Sequence, residues 1–164
     1  YYVAEGVRLY SQETWRQVTG TEGKALVLQY MEHVVSYYIE ATTADNHAVR
    51  EAACACIAEL ATKLPSSGVQ PYVAQLLSAL LQCFTDDSWP VRDAACVACG
   101  HFVQSFPEEA SFTMPQLYPL FFDNLQDSIP SVRQGAAVAL GHVVQAYAGD
   151  ALARVVPLLK ERLQ

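Results

Sequence analysis

The sequence predicts an all-α solenoid, a superhelix of antiparallel helix pairs, and three observations carry that expectation. First, Val49–Leu60 reads VREAACACIAEL, Val91–Phe102 reads VRDAACVACGHF and Val132–Val143 reads VRQGAAVALGHV; they align without a gap, and Arg50, Arg92 and Arg133 are spaced by 42 and 41 residues. Second, each copy follows a separate apolar segment in which large residues recur at intervals of three and four, as Leu117, Leu120, Phe121 and Leu125 do. That spacing makes one apolar face on a helix. Third, Pro65, Pro71, Pro90, Pro107, Pro115 and Pro130 stand near expected helix starts or in connections, where a missing N–H does little harm.

Taken in order, residues 1–20 hold a weaker copy. Val7–Arg8 opens VRLYSQETWRQV 42 residues before Arg50, and Trp15 takes the place of Ile57, Cys99 and Leu140. Leu9, Tyr10 and Thr14 stand where small residues are expected, so this stretch is expected to be a degenerate second helix. Residues 22–64, 70–106 and 115–147 are expected to be full repeats, with first helices near Lys24–Ala41, Pro71–Phe84 and Pro115–Gln126. Residues 151–164 are expected to form the first helix of a truncated repeat, so that the parent protein continues with further repeats. Pro119 and Pro157 fall inside first helices and are expected to kink them.

In the second helices, Val49, Ala53, Cys56, Ile57 and Leu60 are expected to form the buried stripe, with Val91, Ala95, Cys99 and Phe102 as counterparts and Ala136 and Ala139 repeating the pattern. Gly100 and Gly141 extend it. Small residues belong there because neighbouring helices approach closely only across short side chains. No single helix pair can hide both of its apolar faces, so the stack must be continuous.

Composition narrows the function. Ten Lys and Arg against seventeen Asp and Glu give a formal charge of −7, spread along the chain. Long-range repulsion then disfavours a phosphate backbone or an anionic membrane as partner. Apolar runs are short and broken by polar residues, well below the roughly 18 needed to span a bilayer. Tyr1 begins the chain with neither a Met start nor a basic leader, which reads as an excised or processed piece. Cys54, Cys56, Cys83, Cys96 and Cys99 sit among Ala, Val and Leu. An odd number of thiols in such places points to reduced core cysteines, hence to an intracellular protein of the cytoplasm or the nucleus.

The segments FTDDSWPVRDAACVACG and LQDSIPSVRQGAAVALG carry a resemblance. Their pattern, a Leu-rich helix, Asp, then Val–Arg–x–x–Ala–x–x–Ala/Cys–Leu–Gly, resembles the HEAT-repeat proteins, which include importin-β-like transport receptors and the scaffold subunit of protein phosphatase 2A. A period near 41 residues made of two helices agrees with it. The resemblance implies a scaffold or adaptor built as a curved array, with second helices lining the concave side.

The repeated charges have two readings. Arg50, Arg92 and Arg133, preceded by Asp45, Asp86 and Asp127, form either a row that grips an acidic ligand or a structural Asp–Arg ladder between repeats. The ladder is expected, because stacking itself demands the same side chains in every repeat.

Away from the core stripe, the second helices present the columns Glu51, Asp93, Gln134; Ala55, Val97, Val138; and Glu59, His101, His142. These, with Trp89 at an intra-repeat turn, are the candidate partner-binding surface, suited to a helical or mildly basic segment of a protein. His101 and His142 on neighbouring helices are not expected to share a metal, and Cys96–Val97–Ala98–Cys99 lies inside an expected helix rather than at an exposed start where thiolates are activated. No GxSxG elbow, phosphate loop, HExxH or DFG-like segment occurs, so no catalytic residue, metal or cofactor is expected. HEAT-repeat enzymes that hold iron use His–Glu dipeptides, which this sequence lacks. Open alternatives are a transport receptor carrying basic cargo and a microtubule-associated array of TOG type. The turns TTADNH, TDDSWP and LQDSIP offer tubulin no basic edge.

Overall fold

The computed structural model describes residues 2–162, and in these the chain forms helices joined by turns. In order they are α1 (Tyr2–Thr19), α2 (Gly23–Gln29), α3 (Met31–Ala41), α4 (His47–Lys63), α5 (Ser66–Val69), α6 (Val73–Cys83), α7 (Trp89–Ser105), α8 (Pro107–Ser111), α9 (Met114–Asn124) and α10 (Pro130–Arg162). A 3-10 turn, Gln70–Tyr72, carries Pro71 between α5 and α6. Leu163 and the side chain of Arg8 lie outside the described residues.

Each second helix starts three residues before its repeated Arg. Asn46 Oδ1 accepts a hydrogen bond from the Ala48 N–H at 2.8 Å and so caps α4. In the next two repeats Asp86 Oδ1 accepts from the Ser88 N–H and Asp127 Oδ1 from the Ile129 N–H, both at 2.9 Å, closing the turn that leads into the helix. Pro90 and Pro130 then occupy the first turns of α7 and α10, where no N–H is needed.

The first helix of each pair is less regular. The segment expected as one helix from Lys24 to Ala41 is divided at Tyr30, whose φ of −109° and ψ of 24° leave the helical region. Pro119 does not interrupt α9, which runs through it. In α10 the helical dihedrals fail at Ala148, with φ 32° and ψ −94°, rather than at Pro157, so residues 130–147 and 149–162 form two arms.

Second helices form the close-packed row: α4 lies along α7 and α7 along α10, more extensively than first helices meet one another. First helices cover the row's other side, with α3 on α4, α6 on α7 and α9 on α10. The core between them holds Leu76, Leu77 and Leu80 of α6, Leu117 and Phe121 of α9, and Ile57, Val91, Ala95, Cys99, Phe102, Ala136 and Ala139 of the second helices. Fully burying a side chain of the larger kinds is worth about 1.5–3 kcal/mol.

The stripe needs three corrections, two of which share a physical cause. Val49 is 42% exposed although Val91 and Val132 are fully buried. Gly141 has no atom within 4 Å of the place a Cβ would take, whereas Gly100 is hemmed in by Ala139. On α4 the buried cysteine is Cys54, with Cys56 half-buried. The Val position leans toward the preceding repeat and the Gly position toward the following one, so each is covered only where a second helix lies on that side.

On the preceding side α1 does not supply that cover. Its contacts are chiefly with α2, and Val7, Leu9, Tyr10, Trp15 and Val18 are all about half exposed or more. Tyr10 and Thr14 occupy the positions that hold the smaller Ala52 and Cys56 in α4 and Ala94 and Ala98 in α7. At the other end, Ala151 and Val155 are buried while Leu152, Val156 and Leu159 face outward.

Candidate protein-binding face

The repeated arginines act in the turns. Arg50 donates from Nε and Nη2 to the two carboxylate oxygens of Asp86, at 2.7 and 2.9 Å, and from Nη1 to the Ala44 and Asp45 carbonyls at 2.9 Å each. Arg92 repeats this one turn on, with Nε and Nη2 on Asp127 at 2.8 and 3.1 Å and Nη1 on the Asp86 and Asp87 carbonyls at 2.9 and 3.3 Å. Arg133 Nη1 donates to the Asp127 and Ser128 carbonyls at 2.7 and 3.0 Å. Each arginine therefore stitches its own turn, and Arg50 and Arg92 also grip the next repeat with a two-bond fork, the strongest geometry a guanidinium offers a carboxylate. The Arg50 fork holds the Asp86 carboxyl down at about 2, and the Arg92 fork lowers that of Asp127.

Asp45 does not belong with Asp86 and Asp127. The ladder carboxylate stands six residues before its repeat's Arg, a place that Ala44 takes in the first turn; Asp45 offers its carbonyl and aligns with Asp87 and Ser128.

The columns of the candidate surface lie along the row of second helices. Glu51, Ala55 and Glu59 are exposed on α4, Gln134 and Val138 are exposed on α10, and Asp93, Val97, His101 and His142 are half-buried. Trp89, 43% exposed, opens the α7 line four residues before Asp93. Glu59 pairs with Lys63 at 2.8 Å on the surface.

One residue that sequence reasoning did not single out lies against this strip. A Cβ on Gly135 would stand 2.6 Å from Asp93 Oδ1 and 3.5 Å from Val97 Cγ2, so a larger residue there would have to turn the Asp93 carboxylate aside. Its signal in the sequence was the Gly in VRQGAA where the other copies have Ala. Burial there raises the Asp93 carboxyl, opposed by a 3.3 Å hydrogen bond from Ser131 Oγ. Farther along, the His101 and His142 rings lie 5.7 Å apart, and His142 Nδ1 is buried without a hydrogen-bond partner among the described residues. Burial first, and His142 second, lower the His101 pKa.

Cys96 and Cys99 are held as thiols. All five cysteines are free, burial pushes Cys96 up to about 12 and Cys99 well above its ordinary value, and neither is a thiolate at neutral pH. Among the described residues no three His, Cys, Asp or Glu are grouped to hold a metal ion, and no helix is long and apolar enough to cross a membrane.

Stacked helix pairs tied by an Asp–Arg ladder, with a mixed acidic and apolar strip along the second helices, define a repeat-built scaffold of the kind that serves protein–protein interaction. The HEAT-like repeat family matches residues 47–102 and the HEAT repeats family matches residues 77–164, and the chain belongs to the HEAT-repeat family. No curated protein matches it. Among solved structures, two engineered proteins of the Northeast Structural Genomics Consortium each superpose with a TM-score of 0.66, at 19% and 21% identity, over 76% of this chain and 50% and 51% of theirs. Importin β, crystallised in an ammonium sulfate condition, superposes with a TM-score of 0.65 at 20% identity over 71% of this chain and 14% of its own. The chain thus spans about half the length of the engineered proteins, and at these identities the likeness is one of fold.

Proposed function

We propose that this chain is an interaction scaffold or adaptor that binds a helical or basic segment of a partner protein along the strip formed by Glu51, Ala55 and Glu59, Asp93, Val97 and His101, and Gln134, Val138 and His142. The observation that carries this reading is the strip's composition along the row of second helices: exposed Val138, at 53%, and half-buried Val97 hold matching positions on α10 and α7, Asp93 stands one turn before Val97, and Glu51 and Glu59 stand one turn either side of Ala55 on α4. An amphipathic helix lays its apolar face on such valines, and the carboxylates orient its basic flanks. Trp89 at the end of the line would act as an anchor. The ladder residues Arg50, Arg92, Asp86 and Asp127 consume one another's charge and serve the stack rather than the partner. The likeness of fold to importin β favours a second reading, a transport receptor segment carrying basic cargo.

Amide chemical shifts of the labelled protein, followed during titration with a helical peptide of alternating Lys and Leu faces, test the proposal. Shifts concentrated at residues 93–101 and 134–142 support it. Saturable binding that instead perturbs α6 and α9, or no binding at millimolar peptide, contradicts it.

A further inference from the structure

Between α1, α2, α3 and α4 lies a cavity of about 590 Å³ that the strip does not include beyond its edge at Glu59. Its walls are Trp15, Val27, Val34, Tyr37 and Leu60, and Lys24 stands at its rim. The volume falls within the about 300–1,000 Å³ usual for ligand pockets. Trp15 and Tyr37 are 48% and 68% exposed, so the space is an open groove with aromatic faces. A Cβ on Gly23 would stand 2.8 Å from Trp15 Nε1, so glycine is what allows the indole to seat against the start of α2.

Charge at the groove departs from that of the chain. Lys63 is already paired with Glu59, but Lys24 is exposed and has no carboxylate partner among the described residues, in a protein whose formal charge is −7. We infer that this groove binds a short peptide segment of a partner protein that presents an aromatic side chain with a carboxylate one or two residues away. The aromatic ring enters between Trp15 and Tyr37, where offset or edge contacts between rings add to burial of apolar area. The carboxylate pairs with the Lys24 ammonium at the mouth. An open groove suits a side chain carried on a backbone that stays at the surface, whereas a free small molecule gains more from an enclosed site. This partner chemistry is opposite to that of the strip, which is acidic.

Selection from a displayed library of random heptapeptides against the whole chain tests the inference. Peptides carrying an aromatic residue within two positions of Asp or Glu should be enriched. Their affinity should fall at least tenfold on Tyr37→Ala and on Lys24→Glu, and stay unchanged on Val138→Glu. Residues 24 and 37 are exposed, and unchanged thermal melting of both variants separates loss of binding from loss of fold. No enrichment, enrichment of basic or non-aromatic peptides, or affinity that ignores the Tyr37 and Lys24 variants would overturn it. Peptides lost only on Val138→Glu would belong to the strip and would likewise overturn it, while leaving the strip proposal standing.

Discussion

Gly100 of α7 meets Ala139 of α10 so closely that a Cβ on the glycine would stand 3.0 Å from both the Cα and the Cβ of the alanine. The row of second helices rests on such approaches. Gly141 occupies the corresponding position one repeat on and faces open space.

The two glycines should therefore respond to alanine with opposite signs. Gly141→Ala should stabilise the protein by about 0.5–1 kcal/mol, the gain of replacing glycine within a helix. Gly100→Ala gains the same in helix propensity but must push backbone against backbone, and overpacking costs about 1–3 kcal/mol. Denaturant midpoints of the two variants check the contrast; equal shifts would contradict the packing described.

Arg92→Ala removes the fork on Asp127 and the bonds to two turn carbonyls. Stability should fall by about 1–3 kcal/mol, since charge-assisted bonds are lost and a mostly buried carboxylate is left unpaired. Affinity for a strip-binding peptide should persist wherever the variant is folded. An unchanged midpoint with binding abolished would make Arg92 a recognition residue.

The ladder also predicts acid sensitivity. Asp86 is held at about 2 and Asp127 is lowered, each first by its arginine, so folding favours the ionised carboxylates. Their contribution is complete above the ordinary Asp value near 3.9 and is lost as pH falls toward 2. Urea titrations between pH 5 and pH 2 should show that loss, and Asp127→Asn should start lower and lose less over the same interval.

His101 works in the other direction. Burial, then His142, lowers its pKa, so the unfolded chain takes up a proton before the folded one. Stability is complete above about pH 6.5 and declines as pH falls below that, until the folded imidazole is itself protonated. His101→Gln should flatten the slope of stability between pH 6.5 and 5.

Much of this fold was legible because the Val–Arg copies align without gaps, and a repeated environment demands repeated side chains. Positions that depend on a neighbour's presence were less so: Val49 and Gly141 match their buried counterparts by residue type and differ by what lies beside them. Asp45 was misplaced by one residue because Ala44 lacks the carboxylate that marks the ladder position elsewhere. Gly135 was passed over as one more small residue, though it lies against the Asp93 carboxylate. The groove was invisible because it joins Trp15 to Leu60 through α1, whose place against the array no repeat pattern specifies.

The strip as a protein-binding surface is tested most directly by cross-linking from its centre. With a photoreactive phenylalanine analogue at position 138, irradiation in cells should trap discrete protein partners, and the same analogue at the position of Phe112, 88% exposed beyond α8, should not. Adducts from position 112 alone, or none from position 138 with the protein folded and expressed, would contradict the account.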